Sequence, residues 1–167
     1  MSSKFTRRKF IAATATGAAL ATFKFPAPAV AQAAPFKLGL LTVKTGPLAQ
    51  GGIQMEQGIV TYLKEKNYTL AGRKVELISA DTGGNPAGTK TKAQELIERH
   101  KVDAITGPLA AFELLAITDY IREQKTPLLS LAAAEDMTQR RPNPYFLRAS
   151  ATSAQAMHPI GTSQPRK

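Results

Sequence analysis

The stretch of this chain nearest to a chemical motif is Gly83–Thr91, GGNPAGTKT. It stands where a strand runs into a helix, the setting in which G-x-x-x-x-G-K-[ST] cradles phosphates. Here Thr89 is inserted between Gly88 and Lys90. One extra residue turns a helix by about 100°, so Lys90 points away from where phosphates would lie. Pro86 also removes a backbone N–H from the cradle. A glycine-rich loop feeding a helix whose first turn is Pro86-Ala87-Gly88 is the better account.

The other reactive side chains do not converge. No G-x-G-x-x-G follows a strand, and no G-x-S-x-G nucleophile elbow exists. The histidines are His100 and His158, and cysteine is absent. A zinc site needs three or four ligands, and neither histidine has further metal-ligand residues at workable spacing in the sequence. His100 sits at a helix end beside Arg99 and Lys101, where a cation suits the dipole. Asp119 and Glu123 share a helix face, but Arg122 beside them marks that face as solvated. Glu135-Asp136 opens a short helical turn rather than forming an acid pair. The expectation is a protein that is not an enzyme and takes no cofactor or metal.

Hydrophobic patterning shows what the remaining chain is built to position. Phe36–Val43, Arg73–Asp81, Val102–Pro108, Pro127–Leu131 and Pro144–Ser150 read as strands. Ile53–Lys66, Thr89–Lys101 and Ala111–Lys125 read as helices. Their apolar stripes are Ile53/Ile59/Val60/Leu63, Ala93/Leu96/Ile97 and Leu114/Ile117/Ile121. NYTLAG, after the first helix, reads as a loop. Alternating strands and helices predict an α/β fold, a three-layer parallel sheet with helices on both faces. Ligands of such sheets sit beyond the carboxyl ends of the strands. That selects the loops Lys44–Gly52, Asp81–Gly88, Gly107–Phe112 and Leu131–Asn143, an edge built mainly of Gly, Ala and Pro.

Residues 1–33 read as an export signal rather than as part of the fold. Lys4, Arg7, Arg8 and Lys9 precede an alanine-rich apolar run, Phe10–Phe25, and small residues end in AVAQA. Arg7, Arg8 and Phe10 resemble a twin-arginine signal; an ordinary secretory signal with a basic start is the alternative. Cleavage is expected after Ala33, or else after Ala31. The run is too short for a membrane span, which takes roughly 20 apolar residues. The formal charge of +10 then falls to about +5 as five cations leave. No basic stripe interleaved with aromatics remains, so nucleic-acid binding is not expected. An exported chain without cysteine relies on a packed core.

Several quoted stretches, in this order, resemble one family. KLGLLTVKTGPLAQGG is similar to the first strand and loop of periplasmic substrate-binding proteins of the branched-chain amino acid (Leu/Ile/Val-binding) type. DTGGNPAGTKTKAQELIERHKVDAITGP resembles their second unit, and TPLLSLAAAEDMTQ and PYFLRAS the next two pieces. The resemblance covers residues 36–158. It implies the first lobe of a type I periplasmic binding protein fold and a non-enzymatic, extracytoplasmic receptor of an ABC importer. Its partners would be a small ligand, an amino acid or an aromatic acid, and an ABC permease in the inner membrane. A periplasmic monomer is expected.

The resemblance also implies where a ligand would lie. The first loop often carries an aromatic after P-x-A-Q, and here Gln50 is followed by Gly51. The third-strand loop offers a serine in amino-acid-specific members; here it reads Leu109-Ala110-Ala111. The fourth-strand loop offers Ala-Ala-Thr; here it reads Ala132-Ala133-Ala134. Side-chain hydroxyls for an α-amino acid are lacking, leaving backbone N–H groups to hold a carboxylate. Relatives with alanine-rich loops look like binders of aromatic acids such as benzoates; close packing is the other account of these alanines.

The domain reading follows: a signal over 1–33, an α/β lobe over 34–150, and an aberrant tail over 151–167 at the crossover between lobes. Pro159 and Pro165 are expected to stop the tail from continuing as a regular helix. The chain is expected to be a fragment, its second lobe missing. The alternative function is a single-lobe secreted ligand sensor or interaction protein without a transport role.

Overall fold

A computed structural model describes residues 34–163. The signal residues Arg7, Arg8 and Phe10, the cleavage positions Ala31 and Ala33, and Pro165 lie outside the described residues.

The elements are β1 (Phe36–Thr42), α1 (Ala49–Glu65), β2 (Thr69–Leu70), β3 (Arg73–Asp81), α2 (Pro86–Gln94), β4 (Ala104–Thr106), α3 (Ala111–Gln124), β5 (Leu128–Ser130), β6 (Phe146–Arg148) and α4 (Ser153–Ser163). They form one six-stranded sheet in the order β2-β3-β1-β4-β5-β6. β1 lies between β3 and β4, parallel to both, with Leu38 opposite Leu77 and Ala104. β5 and β6 extend the parallel set.

The expected wholly parallel sheet needs one correction. β2 pairs antiparallel with β3 inside the stretch read as a loop. Ala71 (φ 48°) and Gly72 (φ 78°) form the turn between them. Positive φ at both central residues gives the tight hairpin whose twist suits flanking strands. Asn-Gly would have announced that turn; Ala-Gly does not.

The chain steps from β1 outward to β3, then crosses back over β1 to β4. With right-handed crossovers, that reversal puts α1 on one face and α2 and α3 on the other. The α2/α3 face carries the core, where Leu41, Leu96, Ile105, Leu114, Ile117 and Leu128 are buried. The expected α3 stripe is fully inside: Leu114, Ile117 and Ile121 are all 0% exposed. In α1 only Leu63 of the expected stripe is buried, and Ile53 is exposed. That helix begins four residues earlier than expected, at Ala49 rather than Ile53. α2 also begins earlier, at Pro86, and widens into a π-turn over Glu95–Arg99.

Pro159 does not stop the last segment, contrary to expectation: α4 runs from Ser153 through to Ser163. A proline removes one helical hydrogen bond; Ser153–His158 are exposed, so water reaches the carbonyl that Pro159 leaves free.

Coverage of the two faces is unequal. α1 shields β1 and β3, but the β4–β6 half on its side is open. Tyr62 is 51% exposed and Leu147 65%. With Leu38, Ile59, Ala104 and Leu129 they line a groove of about 400 Å³. An apolar surface of this kind drives association. Replacing Leu129 and Leu147 together with lysine is expected to weaken self-association at high chain concentration in sedimentation velocity, leaving the monomer that prevails at low concentration unaffected. Because both are surface positions, the accompanying stability change should stay within about 1 kcal/mol. Unchanged association in the double variant would show that this face is not what makes copies stick.

Candidate functional site

The four carboxyl-end loops are stitched together by a few polar groups. Asp81, at the end of β3, accepts from Lys44 N (2.8 Å), Gly83 N (2.9 Å) and Thr45 Oγ1 (3.1 Å). The Lys44 N–H does most to hold the Asp81 carboxyl below its ordinary value. The Gly83 N–H, the Thr45 hydroxyl and the Lys44 charge add to it, against an opposing push from desolvation. This carboxylate therefore fastens the first loop to the second.

The second loop is a helix cap. Asn85 Oδ1 accepts the Gly88 N–H at 2.8 Å, and Pro86 occupies the first turn. The asparagine side chain takes the first-turn donor that a phosphate would need, so the P-loop near-miss is a capped helix start.

The third loop follows β4 through a cis Gly107–Pro108 peptide. Gly107 has φ +94°, and a Cβ built on it would lie 2.0 Å from Leu41 O. Beyond it, Leu109 folds against the start of α1: a Cβ on Gly51 would lie 3.0 Å from Leu109 Cδ2. The leucine fills the space that an aromatic at position 51 would need. Gly51 and Leu109 are therefore fitted to each other. Gln50 is exposed beside them.

Ala110 is the N-cap of α3, in extended conformation. Alanine has no oxygen to cap the helix, so the cap is one-sided: Glu113 Oε2 accepts the Ala110 N–H at 3.1 Å. The N–H groups of Ala111, Phe112 and Glu113 have no hydrogen-bond partner among the described residues. A helix start with unpartnered donors and its dipole is suited to a carboxylate.

The fourth loop is braced from below. Ser130 Oγ donates to Pro108 O (2.9 Å) and accepts from Ala132 N (3.0 Å), tying the third loop to the fourth. Arg148 Nη1 donates to Ala132 O at 2.6 Å, and Nη2 donates to Ala134 O. Ala132 and Ala134 are 2% and 8% exposed and belong to the core. Of that alanine triplet, Ala133 alone keeps a partly exposed side chain. Gly51, Leu109, Ala110, Ala111 and Ala133 thus reach the edge, whereas Ala132 and Ala134 act through packing. Next to the edge, Met55, Ile59, Thr106, Leu129, Leu131 and Ala149 line a largely apolar recess of about 360 Å³.

Sequence reasoning missed Ser130, Glu113 and Arg148. Glu113 had a signal, the spacing of a capping box three residues after the N-cap, obscured because Ala110 stands where serine or threonine is usual. Arg148 lay in a quoted stretch, but nothing in FLRAS says which carbonyls it meets.

Residues 35–164 match the protein family described as Periplasmic binding protein. The Leu/Ile/Val-binding protein homolog 6 of Brucella abortus is 30% identical over 143 residues, 85% of this chain and 36% of that protein. Among solved structures, a solute-binding protein of an ABC transporter from Rhodopseudomonas palustris, in complex with 3,4-dihydroxybenzoic acid, is 37% identical. Its TM-score is 0.68, over 72% of this chain and 33% of that one. A second R. palustris solute-binding protein, in complex with 4-hydroxybenzoate, is 30% identical with TM-score 0.65, over 76% and 36% of the two chains. A leucine-binding protein from Thermotoga maritima is 25% identical with TM-score 0.66, over 75% and 37%. The chain therefore spans little more than a third of the length of the relatives it matches.

Proposed function

We propose, from the premise that this chain belongs to the periplasmic binding protein family, that it provides the ligand-receiving edge of an ABC-importer solute receptor. In this reading it lies outside the cytoplasm, exported by a signal over residues 1–33 that is cleaved after Ala33 or Ala31. Its partners are a small carboxylate-bearing ligand and a membrane permease, and it acts as a monomer. No catalytic step is assigned to it.

The observation that carries the reading is the start of α3. The unpartnered N–H groups of Ala111 and Phe112, residues that are partly or fully exposed, lie beside an edge formed by Leu109, Ala110 and Ala133, while Glu113 is wholly buried. A carboxylate accepts from those donors, and the rest of the ligand lies on an apolar wall. No side-chain hydroxyl of Leu109–Ala111 or Ala132–Ala134 is present to recognise an α-amino acid. Sites that hydrogen-bond a substrate group discriminate strongly, whereas apolar walls do not. An aromatic acid is thus favoured over leucine. The benzoate-type ligands printed for two of the relatives support the same preference.

The test is amide NMR on the chain during titration with 4-hydroxybenzoate and, separately, with leucine. A pocket ordinarily buries about 70–90% of its ligand; one lobe encloses less, so affinity in the millimolar range is expected. The aromatic acid should shift Ala111–Glu113 and leucine should not. Leucine shifting these amides at lower concentration than 4-hydroxybenzoate would overturn the ligand class. Silence at these amides with both would overturn the site.

A further inference from the structure

We infer that Glu113 is a positioning residue for the ligand loop: its buried carboxylate, rather than any side chain of the loop itself, fixes Ala110 and the start of α3. The functional meaning of this inference rests on the receptor reading above.

Glu113 is 0% exposed. It takes part in none of the ion pairs among the described residues. A buried carboxylate in that position is costly unless hydrogen bonds satisfy it. Oε1 accepts from Thr82 Oγ1 (2.5 Å) and Thr89 Oγ1 (3.2 Å), and Oε2 from Ala110 N (3.1 Å).

The proton count gives the carboxylate two full donors, Thr82 Oγ1 and Ala110 N, and a third, Thr89 Oγ1, that it shares. Each threonine hydroxyl has one proton and two acceptors in reach. Thr82 Oγ1 is also 3.2 Å from Thr42 O, and Thr89 Oγ1 is 2.7 Å from Asn85 O. Both carbonyls already have backbone donors, Thr82 N at 2.8 Å and Thr89 N at 3.0 Å. A carbonyl can accept a second donor, so distance decides: the Thr82 proton goes to Glu113, 2.5 Å away against 3.2 Å to Thr42 O, and the Thr89 proton is shared between Asn85 O at 2.7 Å and Glu113 at 3.2 Å. The carboxylate also belongs to the first turn of α3 and meets Thr89 near the start of α2, where helix dipoles favour negative charge.

Three elements meet at this group: the residue after β3, the first turns of α2, and the N-cap of α3. The second and third ligand-edge loops are therefore held as one unit. Ala110 cannot cap α3 itself, so the backbone that presents the Ala111 and Phe112 donors depends on a side chain that never touches ligand.

Amide hydrogen exchange on the full chain tests this with Glu113→Gln. Glutamine keeps the size but offers a single acceptor oxygen. With its NH₂ toward Ala110 that bond is lost outright; with its NH₂ toward the hydroxyls, Thr82 and Thr89 no longer donate to it, and the side chain that holds Ala110 loses its anchor. Exchange at Ala110 should rise on the order of tenfold, as a local opening, while Leu40 and Leu41 in β1 keep their protection. An unchanged Ala110, or a rise shared equally by Leu40 and Leu41, would overturn the positioning role. If Glu113→Gln does not fold, Thr89→Val decides by the same comparison, because it removes one donor and leaves the carboxylate. A smaller rise confined to Ala110 supports the role, and no local rise overturns it. A 4-hydroxybenzoate titration of the unsubstituted chain keeps the two readings apart. Silence there sinks the receptor site, while the exchange result still decides for Glu113.

Discussion

Gly107→Ala is expected to destabilise the chain by about 2–5 kcal/mol. Two costs add. The backbone at Gly107 has φ +94°, a region in which an L side chain costs about 1–2 kcal/mol. The new Cβ would also lie 2.0 Å from Leu41 O, and relieving such overpacking typically costs about 1–3 kcal/mol. Neither side can move away cheaply. Gly107 N is bonded to Leu129 O at 2.9 Å, and Leu41 is a fully buried residue of the central strand β1.

Gly58→Ala is the matched control. It lies within α1, and nothing stands within 4 Å of its would-be Cβ. There the substitution should stabilise by roughly 0.5–1 kcal/mol, the usual gain of alanine over glycine inside a helix. Urea unfolding of the two variants and the unsubstituted chain reads both effects. A Gly107→Ala midpoint close to the unsubstituted one would mean that β4 and β1 do not approach as closely as described.

That close approach also shows what the sequence could and could not reveal. The order of strands and helices was legible because Leu114, Ile117 and Ile121 repeat at helical spacing and Phe36–Thr42 is mostly apolar, with Leu38, Leu40 and Leu41 in it. Such patterns report burial, and burial is what the sheet and α3 deliver. The β2 hairpin was not legible, since its turn uses Ala71-Gly72 without a strong local signal. Pro159 misled for a related reason: a proline reports a lost hydrogen bond, not the length of the helix around it. At the ligand edge, Leu109–Ala111 and Ala132–Ala134 were identifiable as loop positions. Which alanines face the core was not, because Ala132 and Ala134 are turned inward by bonds from Ser130 and Arg148. Ser130 is only two residues from Ala132, but Arg148 is 16 and 14 residues from the carbonyls it meets, and no local spacing encodes that.

Arg148→Met is expected to destabilise by about 2–4 kcal/mol, and the sign needs argument. The guanidinium has no carboxylate partner among the described residues, it stacks 5.3 Å from the Phe146 ring centroid, and its Nε is buried without an acceptor. Replacing a poorly compensated buried charge by an apolar chain can be neutral or stabilising. Here the carbonyls decide. Ala132 O and Ala134 O both face Arg148, and no other donor to them is present among the described residues. Methionine satisfies neither. Leaving two buried acceptors unpaired costs about 1–3 kcal/mol each, which exceeds what relief of Nε returns. Arg148→Lys keeps the charge but replaces a planar fork with a point donor, so it should recover less than half of the loss. The effect should also be spatially uneven: the Ala132 amide, bonded to Ser130 Oγ, loses protection before those of β1, because Arg148 braces the loop rather than the central sheet. Equal stability of the methionine variant and the unsubstituted chain in urea would show that those carbonyls find other donors. It would remove Arg148 from the machinery that shapes the ligand edge.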